Sequence, residues 1–554
     1  MQVTMNYPGR SELRQRSSGE RILVLAPNLN RESVVFDASM TDSVGFREAI
    51  SALHDVVVSD LRFQGIEKSA HNAWKLELRR REAAIRDTSK QQSEDMVREG
   101  LITGPSAELR RQHAAALKTY WSARSKMEAR LRREDPILWR RMMPLDPVIT
   151  VADDVVFFEC FSADESSYGC LSIDRESQFC ATGEVQLGTT NVDYSWQLYH
   201  SFLNLRSYRQ TRLSIRADGF QVHPATCEQQ HEETIELPGG WLRGFMQLQA
   251  AMTLPMTRVR LSVAAVYSLL TWLRRNRETS SPRAIRFELV DGRSPRLVLE
   301  PWETVVESSE APFCGSVKAP IRIWGRRRLL SLARLLPLAS AIDVYLTGTG
   351  LPSFWVVHMG AMRLTLGLSG WTASDWTRGS PIEMLLPQSD TGLNMIASAA
   401  AQLKSQRILS VARLASDLRI SQSDVRAAMI QLAFRGQAFF DLHLQQLRWR
   451  QILPMELSDR EIGPPHPEVA ASQQFLASGK TRIEQQHAAP GGGLILVGKV
   501  ENQPCEVLID SDAIVRNGKC RCSWHFRTGI RNGPCRHLLA LKLLHQKTIT
   551  ESTG

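Results

Sequence analysis

Near the C-terminus, KCRCSWHFRTGIRNGPCRHLLALKLL places Cys520, Cys522, Cys535 and His537 in a C-x-C-x12-C-x-H spacing, which limits what this end of the chain can become. Three thiolates and one imidazole form a closed tetrahedral donor set for Zn2+. Side chains two residues apart on a β-strand share a face, so a strand end aims Cys520 and Cys522 at one point. Gly533 and Pro534 then turn the chain into an apolar helix, whose start returns Cys535 and His537 to the first pair. With four protein donors no coordination position stays open. The spacing therefore predicts one structural zinc ion rather than a catalytic one. His525 follows a Trp-containing loop and His545 lies further down the helix, and both read as ordinary histidines.

The segment before these residues, GGGLILVGKVENQPCEVLID, supplies strand-like runs at 494–500 and 505–509 with a turn at 502–504. Two strands, a C-x-C pair, then C-x-H at the entry to a helix: this tail resembles the SWIM zinc finger, a ββα module. The resemblance implies the same four metal ligands, Cys520, Cys522, Cys535 and His537.

At 554 residues the chain exceeds the size at which one core keeps growing, so three or four domains are expected. No run of about 18 apolar residues occurs, and MQVTMNYPGRSELRQRSSGER lacks the apolar stretch of a secretory signal. The expected location is cytoplasmic, with no membrane association. Five of the nine cysteines are scattered, which argues against a disulfide framework. Cys160, Cys170 and Cys180 recur every ten residues without a close pair and read as small buried hydrophobes.

The pattern along the chain predicts an α+β multidomain protein. Residues 1–145 read as mostly helical: a short apolar strand candidate at 21–29 and an amphipathic helix from 43 precede charged helical stretches at 69–86 and 106–133. Basic residues interleaved with Trp121 and Trp139 crowd the end of this region, a pattern that more often marks a solvated helix face. From 147 to 385 the texture is β-rich α+β, with alternating apolar runs and a hairpin turn expected at Ala217-Asp218-Gly219. Between 258 and 376 a helix followed by paired strands occurs twice, hinting at two related units.

Residues 390–453 read as a winged helix-turn-helix. Helices at 393–404, 411–418 and from 422 are followed by strands at 438–442 and 446–449. Ser421 at the cap and Asp424 three residues on mark the start of the third helix, and Gly436 its end. The C-terminal module, with its preceding strands, spans 466–548.

The net charge of +10 favours polyanionic partners, and from 513 to 550 eight basic residues stand with no Asp or Glu. Arg521, Arg527, Arg531 and Arg536 are the candidate phosphate contacts there. On the third helix Gln422 and Arg426 would face the major groove, with Arg448 and Arg450 of the wing on the backbone. The alternative is a basic face that only keeps the module soluble, with both modules docking protein.

Beyond the tail, EAISALHDVVVSDLRF (48–63), FFECFSADESSYG (157–169) and LPSFWVVHMG with LGLSGWTASDW (351–376) resemble a bacterial family of SWIM zinc finger proteins of about this length. The resemblance implies an accessory component of a MoxR-type AAA ATPase system, with that ATPase and a von Willebrand factor A protein as partners. No nucleotide-binding loop, H-E-x-x-H or nucleophile elbow occurs, so no enzymatic activity is expected. The sequence reads as an adaptor contacting nucleic acid or recruiting substrate, or alternatively as a scaffold that binds only protein.

Overall fold

The structure is a computed structural model of the full chain. It describes all residues except 1, 16–18, most of 60–105, 135–146, 218–230, 371–392 apart from Trp376, 453–465, 554, and short breaks at 182, 184, 237–238, 277–282, 316, 318, 490–492, 510–514 and 531–532. Two compact units result: residues 60–143, and residues 1–59 together with 144–554.

The chain opens with β1 (Gln2–Tyr7), β2 (Glu12–Gln15), β3 (Arg21–Leu25), β4 (Phe36–Met40) and α1 (Ser43–Val57). β3 falls on the strand candidate at 21–29, while β1, β2 and β4 are strands not foreseen there. Except for β2 beside β3, their partners lie far along the sequence: Leu23 pairs with Leu213, and Ala38 with both Leu213 and Ala181. No local periodicity reports pairing over such separations. Within the unit 60–143, α2 (Ala107–Glu134) is the long charged helix foreseen at 106–133, and Ser106 caps it through Leu109 N–H at 3.1 Å. The helix expected at 69–86 and the Ala217-Asp218-Gly219 turn lie mostly outside the described residues.

In the larger unit β5 (Val148–Val151), β6 (Val155–Phe161), β7 (Ser167–Asp174), β8 (Phe179–Ala181), β9 (Gly188–Asn191), α3 (Trp196–Phe202), β10 (Thr211–Ile215), β11 (His231–Glu236) and α4 (Gly239–Met252) follow in order. Next come β12 (Thr257–Leu261), α5 (Val263–Arg275), β13 (Ile285–Glu288), β14 (Arg296–Leu299), β15 (Thr304–Glu307), β16 (Ile321–Ile323), a 3-10 helix (Arg326–Arg334), β17 (Ala341–Leu346), β18 (Ser353–Met359) and β19 (Met362–Leu368).

Eight strands form one antiparallel sheet in the order β12-β17-β18-β19-β7-β6-β5-β9. Two meanders, β5-β6-β7 and β17-β18-β19, meet through their last strands, from Met362 opposite Ile173 to Leu368 opposite Ser167. The recurrence seen between 258 and 376 is divided between two sheets. Its first hairpin joins the separate sheet β15-β14-β13-β16, and its later strands complete the large sheet.

Both faces of the large sheet are covered. Phe158, Leu171, Trp355 and Leu364 pack with α1, α5 and the 3-10 helix. Phe157, Tyr168, Phe354 and Val356 pack on the other face with Phe245 and Met246 of α4. Burial on two faces explains why these strands read as nearly continuous apolar runs rather than strict alternation.

Residues 393–449 form α6 (Leu393–Gln406), β20 (Ile408–Leu409), α7 (Val411–Leu418), α8 (Gln422–Phe434), β21 (Ala438–Asp441) and β22 (Gln446–Trp449), with sheet order β20-β22-β21. Ser410 caps α7 and Ser421, as foreseen, caps α8, each accepting a backbone N–H at 3.1 Å. One side of α8 fills the core of this segment through Val425, Met429 and Leu432. Ile430 and nearby Phe439 and Leu442 instead join α4 under the large sheet.

The C-terminal part holds α9 (Pro467–Ala477), β23 (Thr481–Ala489), β24 (Gly493–Val500), β25 (Gln503–Ile509), β26 (Val515–Cys520), α10 (Ser523–Thr528) and α11 (Arg536–Thr553). The four strands form a meander in chain order. The turn between β24 and β25 is Glu501-Asn502, at φ +47° and +66°, so Pro504 lies inside the ladder opposite Lys499 rather than in the turn. Leu538 and Leu541 of α11 pack on this sheet. They can approach because Gly518 and Gly498 carry no side chain: a Cβ there would lie 2.6 Å from Leu538 and 2.8 Å from Leu541.

Candidate metal centre and its surroundings

The fold converges the four expected ligands. Cys520 ends β26, Cys522 caps α10, and Cys535 and His537 flank the first residue of α11, with Gly533 at φ +89° making the turn. One donor atom from each lies within 4.8 Å of all the others, and the cluster could hold a metal ion. A tetrahedral ion at about 2.3 Å from sulfur sets neighbouring donors roughly 3.8 Å apart. The Cys520 Sγ to His537 Nδ1 distance is 3.7 Å.

The electrostatics fit the same reading. Hydrogen bonding from the Cys535 thiol, opposed by burial and helped by His537, lowers the Cys520 thiol. Cys535 is pushed far upward by that bond and by burial. Three sulfurs this close ionise together only around a cation. Cys505, directly across the ladder from Cys520, is raised to about 12 by burial and donates to Gly498 O at 3.8 Å, so it belongs to the core. His525 contributes its backbone, not its ring, donating N–H to Cys522 Sγ at 3.4 Å.

Glu468 is a structural member of this centre that sequence reasoning missed. Its buried carboxylate accepts the Arg536 backbone N–H at 2.7 Å, capping α11 between two ligands, and also accepts from the Arg536 guanidinium. Burial alone would raise Glu468, but these hydrogen bonds hold it below the usual carboxylate range. Phe475 of α9 stacks on His537 with centroids 5.5 Å apart. Trp524 packs edge-on to His466 and donates to Gly533 O at 3.3 Å. Neither partner lies near the ligands in sequence, so no local spacing could signal them.

The candidate nucleic-acid contacts divide. Arg448 and Arg450 are corrected: their side chains are 5% and 2% exposed, so neither reaches a phosphate backbone. Arg448 pairs with Asp154 at 2.6 Å and Asp441 at 3.0 Å, and Arg450 with Glu159 at 2.5 Å. The phosphate-contact role expected of them gives way to ion pairs with Asp154, beside β6, and Glu159, within β6 of the large sheet. Gln422 and Arg426 are exposed on the first turns of α8, while α4 packs against the same helix.

In the tail, Arg536 is tied to Glu468, Lys519 to Glu506 at 3.0 Å, and Arg516 to Thr347 O at 3.1 Å. Lys542 is buried. The stretch without Asp or Glu in sequence thus meets acids from elsewhere in space. Arg521 and Arg527 remain exposed, as does Phe526 at 89%, and Arg531 lies outside the described residues.

Other acids resolve into structure. Asp164 accepts from the Ser162 and Ser166 hydroxyls at 2.6 and 2.5 Å, and Glu159 accepts from Tyr168 at 2.6 Å. Cys160 and Cys170 are buried in the cores on opposite faces of the large sheet, so one ion cannot bridge them, and Cys180 is exposed. Among the described residues no helix is long and apolar enough to cross a membrane.

No family model matches the chain, and no curated protein matches it. Solved structures similar to part of it include proliferating cellular nuclear antigen from Entamoeba histolytica, 13% identical over 41% of this chain and 89% of that one, at TM-score 0.29. A. fulgidus PCNA, bound to the C-terminal region of FEN-1, is 11% identical over 42% and 91%, at 0.29. PCNA from Thermococcus kodakaraensis is 11% identical over 41% and 90%, at 0.27. At these TM-scores the likeness carries no functional inference.

Proposed function

We propose that the protein is a zinc-organised adaptor whose C-terminal module is a SWIM zinc finger. The convergence of Cys520, Cys522, Cys535 and His537 on one centre carries this reading. A Cys3His set is chosen for Zn2+ because soft thiolates and an imidazole in tetrahedral array suit that ion, and because all four positions are filled from the chain. Strands β24 to β26 followed by α11 match the module's expected order.

The ion ties β26, α10 and the start of α11 together and so presents Arg521, before α10, near the element that carries Phe526 and Arg527. An exposed aromatic flanked by guanidiniums suits a docking contact with a partner protein. We read the partner as a MoxR-type AAA ATPase or its von Willebrand factor A companion, in the cytoplasm. The winged helix, whose wing cations are neutralised internally and whose third helix packs on α4, serves this reading as a rigid connector.

A second reading, nucleic-acid contact, rests on the same three residues, since a base can stack on Phe526 with its phosphates on Arg521 and Arg527. Affinity capture from nuclease-treated native lysate, with wild type and Arg521→Ala/Phe526→Ala/Arg527→Ala, tests the adaptor. Recovery of a defined partner by wild type but not the triple variant is expected; equal recovery removes α10 as the contact. Fluorescence anisotropy with single- and double-stranded DNA and RNA tests the second reading. Binding that weakens with added salt and is lost in the triple variant sustains it, and absence of binding ends it.

A further inference from the structure

Where the β5 and β9 end of the large sheet meets β22, a cavity of about 290 Å3 is lined by Arg31, Thr150, Phe157, Arg448, Trp449 and Arg450, among others. Its cations are unevenly matched. Arg448 is neutralised by Asp154 and Asp441. Arg450 uses Nη1 on Glu159, but its Nε and Nη2, within a side chain 2% exposed, have no hydrogen-bond partner among the described residues. Its guanidinium lies over the rings of Phe245 and Phe439, each at 5.4 Å, which hold it in place.

Arg31 donates to the carbonyl oxygens of Thr189 and Ile452 and pairs with no carboxylate among the described residues. Burial and the neighbouring Arg450 guanidinium pull it down to about 10. Of these two guanidiniums only Arg450 meets a buried carboxylate, Glu159. The lining acids Glu32 and Asp153, like Arg407, are exposed. A buried fork with spare donors beside a second cation is a geometry that an oxyanion completes, accepting several N–H bonds at once while offsetting the like-charge pair.

We propose that this cavity binds a small phosphate-bearing molecule, its phosphate bridging Arg31 and Arg450 and its body lying against Trp449 and Phe157. The volume, close to the lower end for small-molecule sites, suits a phosphate with a compact substituent. The site shares no residue with the Cys/His cluster and stands independently of the adaptor reading.

The test uses inorganic phosphate on the full-length, zinc-loaded protein, by calorimetric titration and thermal unfolding against chloride at matched ionic strength. Saturable binding and a rise in Tm specific to phosphate are expected. Arg31→Gln should weaken that binding at least about tenfold, and Arg274→Gln, at the exposed end of α5, should leave it unchanged. A response identical in chloride, or undiminished in Arg31→Gln, overturns the proposal.

A second measurement needs no variant: phenylglyoxal labelling of wild type followed by peptide mapping. Phosphate should protect Arg31 and leave the exposed Arg274 reactive. Equal labelling of Arg31 with and without phosphate also overturns the proposal.

Discussion

Glu468 and Arg536, 68 residues apart, are joined three times: the Arg536 backbone N–H, Nε and Nη2 all donate to the one carboxylate. Because Arg536 stands between Cys535 and His537, this one acid sets the start of α11 and with it half of the metal centre. Groups that orient ligands in this way typically change metal affinity by one or two orders of magnitude when removed.

Glu468→Gln should therefore weaken zinc binding about tenfold or more, measured by competition with a chromophoric chelator. The amide still accepts one bond but offers no charge to the helix start or the guanidinium. Affinity equal to wild type would show that Cys535 and His537 are held without this cap.

Elemental analysis of purified protein should find about one zinc per chain, lost in Cys520→Ser/Cys535→Ser. Metal binding and local folding are coupled, so the double variant should become protease-sensitive in the C-terminal module while the large sheet stays intact. Zinc content unchanged by the double substitution would place the ion elsewhere.

Arg448→Met should lower stability by about 3 kcal/mol in urea unfolding, because it leaves the buried Asp441 carboxylate without its cation. A wing residue used only to touch phosphate would show no such loss. Stability within a few tenths of wild type would return Arg448 to the surface role read from sequence.

His54 predicts a pH dependence. Burial first, then His200 and Arg334, lower its pKa to about 4; its Nδ1 lies 3.0 Å from Tyr194 Oη and its ring stacks on Tyr199 with centroids 3.6 Å apart. The unfolded chain takes up this proton near pH 6.5 and the folded chain does not. The contribution is complete above about pH 6.5 and is lost progressively as the pH falls toward 4, by up to about 3 kcal/mol. Thermal unfolding of wild type and His54→Phe across pH 4–7 checks it: the difference between the two should shrink over that window, and a constant difference refutes the assignment.

Legibility in the sequence followed range. The caps at Ser410 and Ser421, the helix at 107–134 and the grouping of Cys520, Cys522, Cys535 and His537 all depend on residues within a few turns of one another, and local spacing reports such geometry directly. The pairing of β3 with β10, the two meanders sharing one sheet, and the cap from Glu468 involve partners far apart along the chain, which no periodicity encodes.

The sequence by itself determined the donor set of the candidate metal site, since three thiols and an imidazole at that spacing suffice to close around one ion. Tertiary structure alone decided which charges stay available. Arg448, Arg450 and Arg536 read as surface cations until the fold brings Asp154, Asp441, Glu159 and Glu468 against them, because a charge buried on folding must meet its counter-charge wherever the chain supplies it.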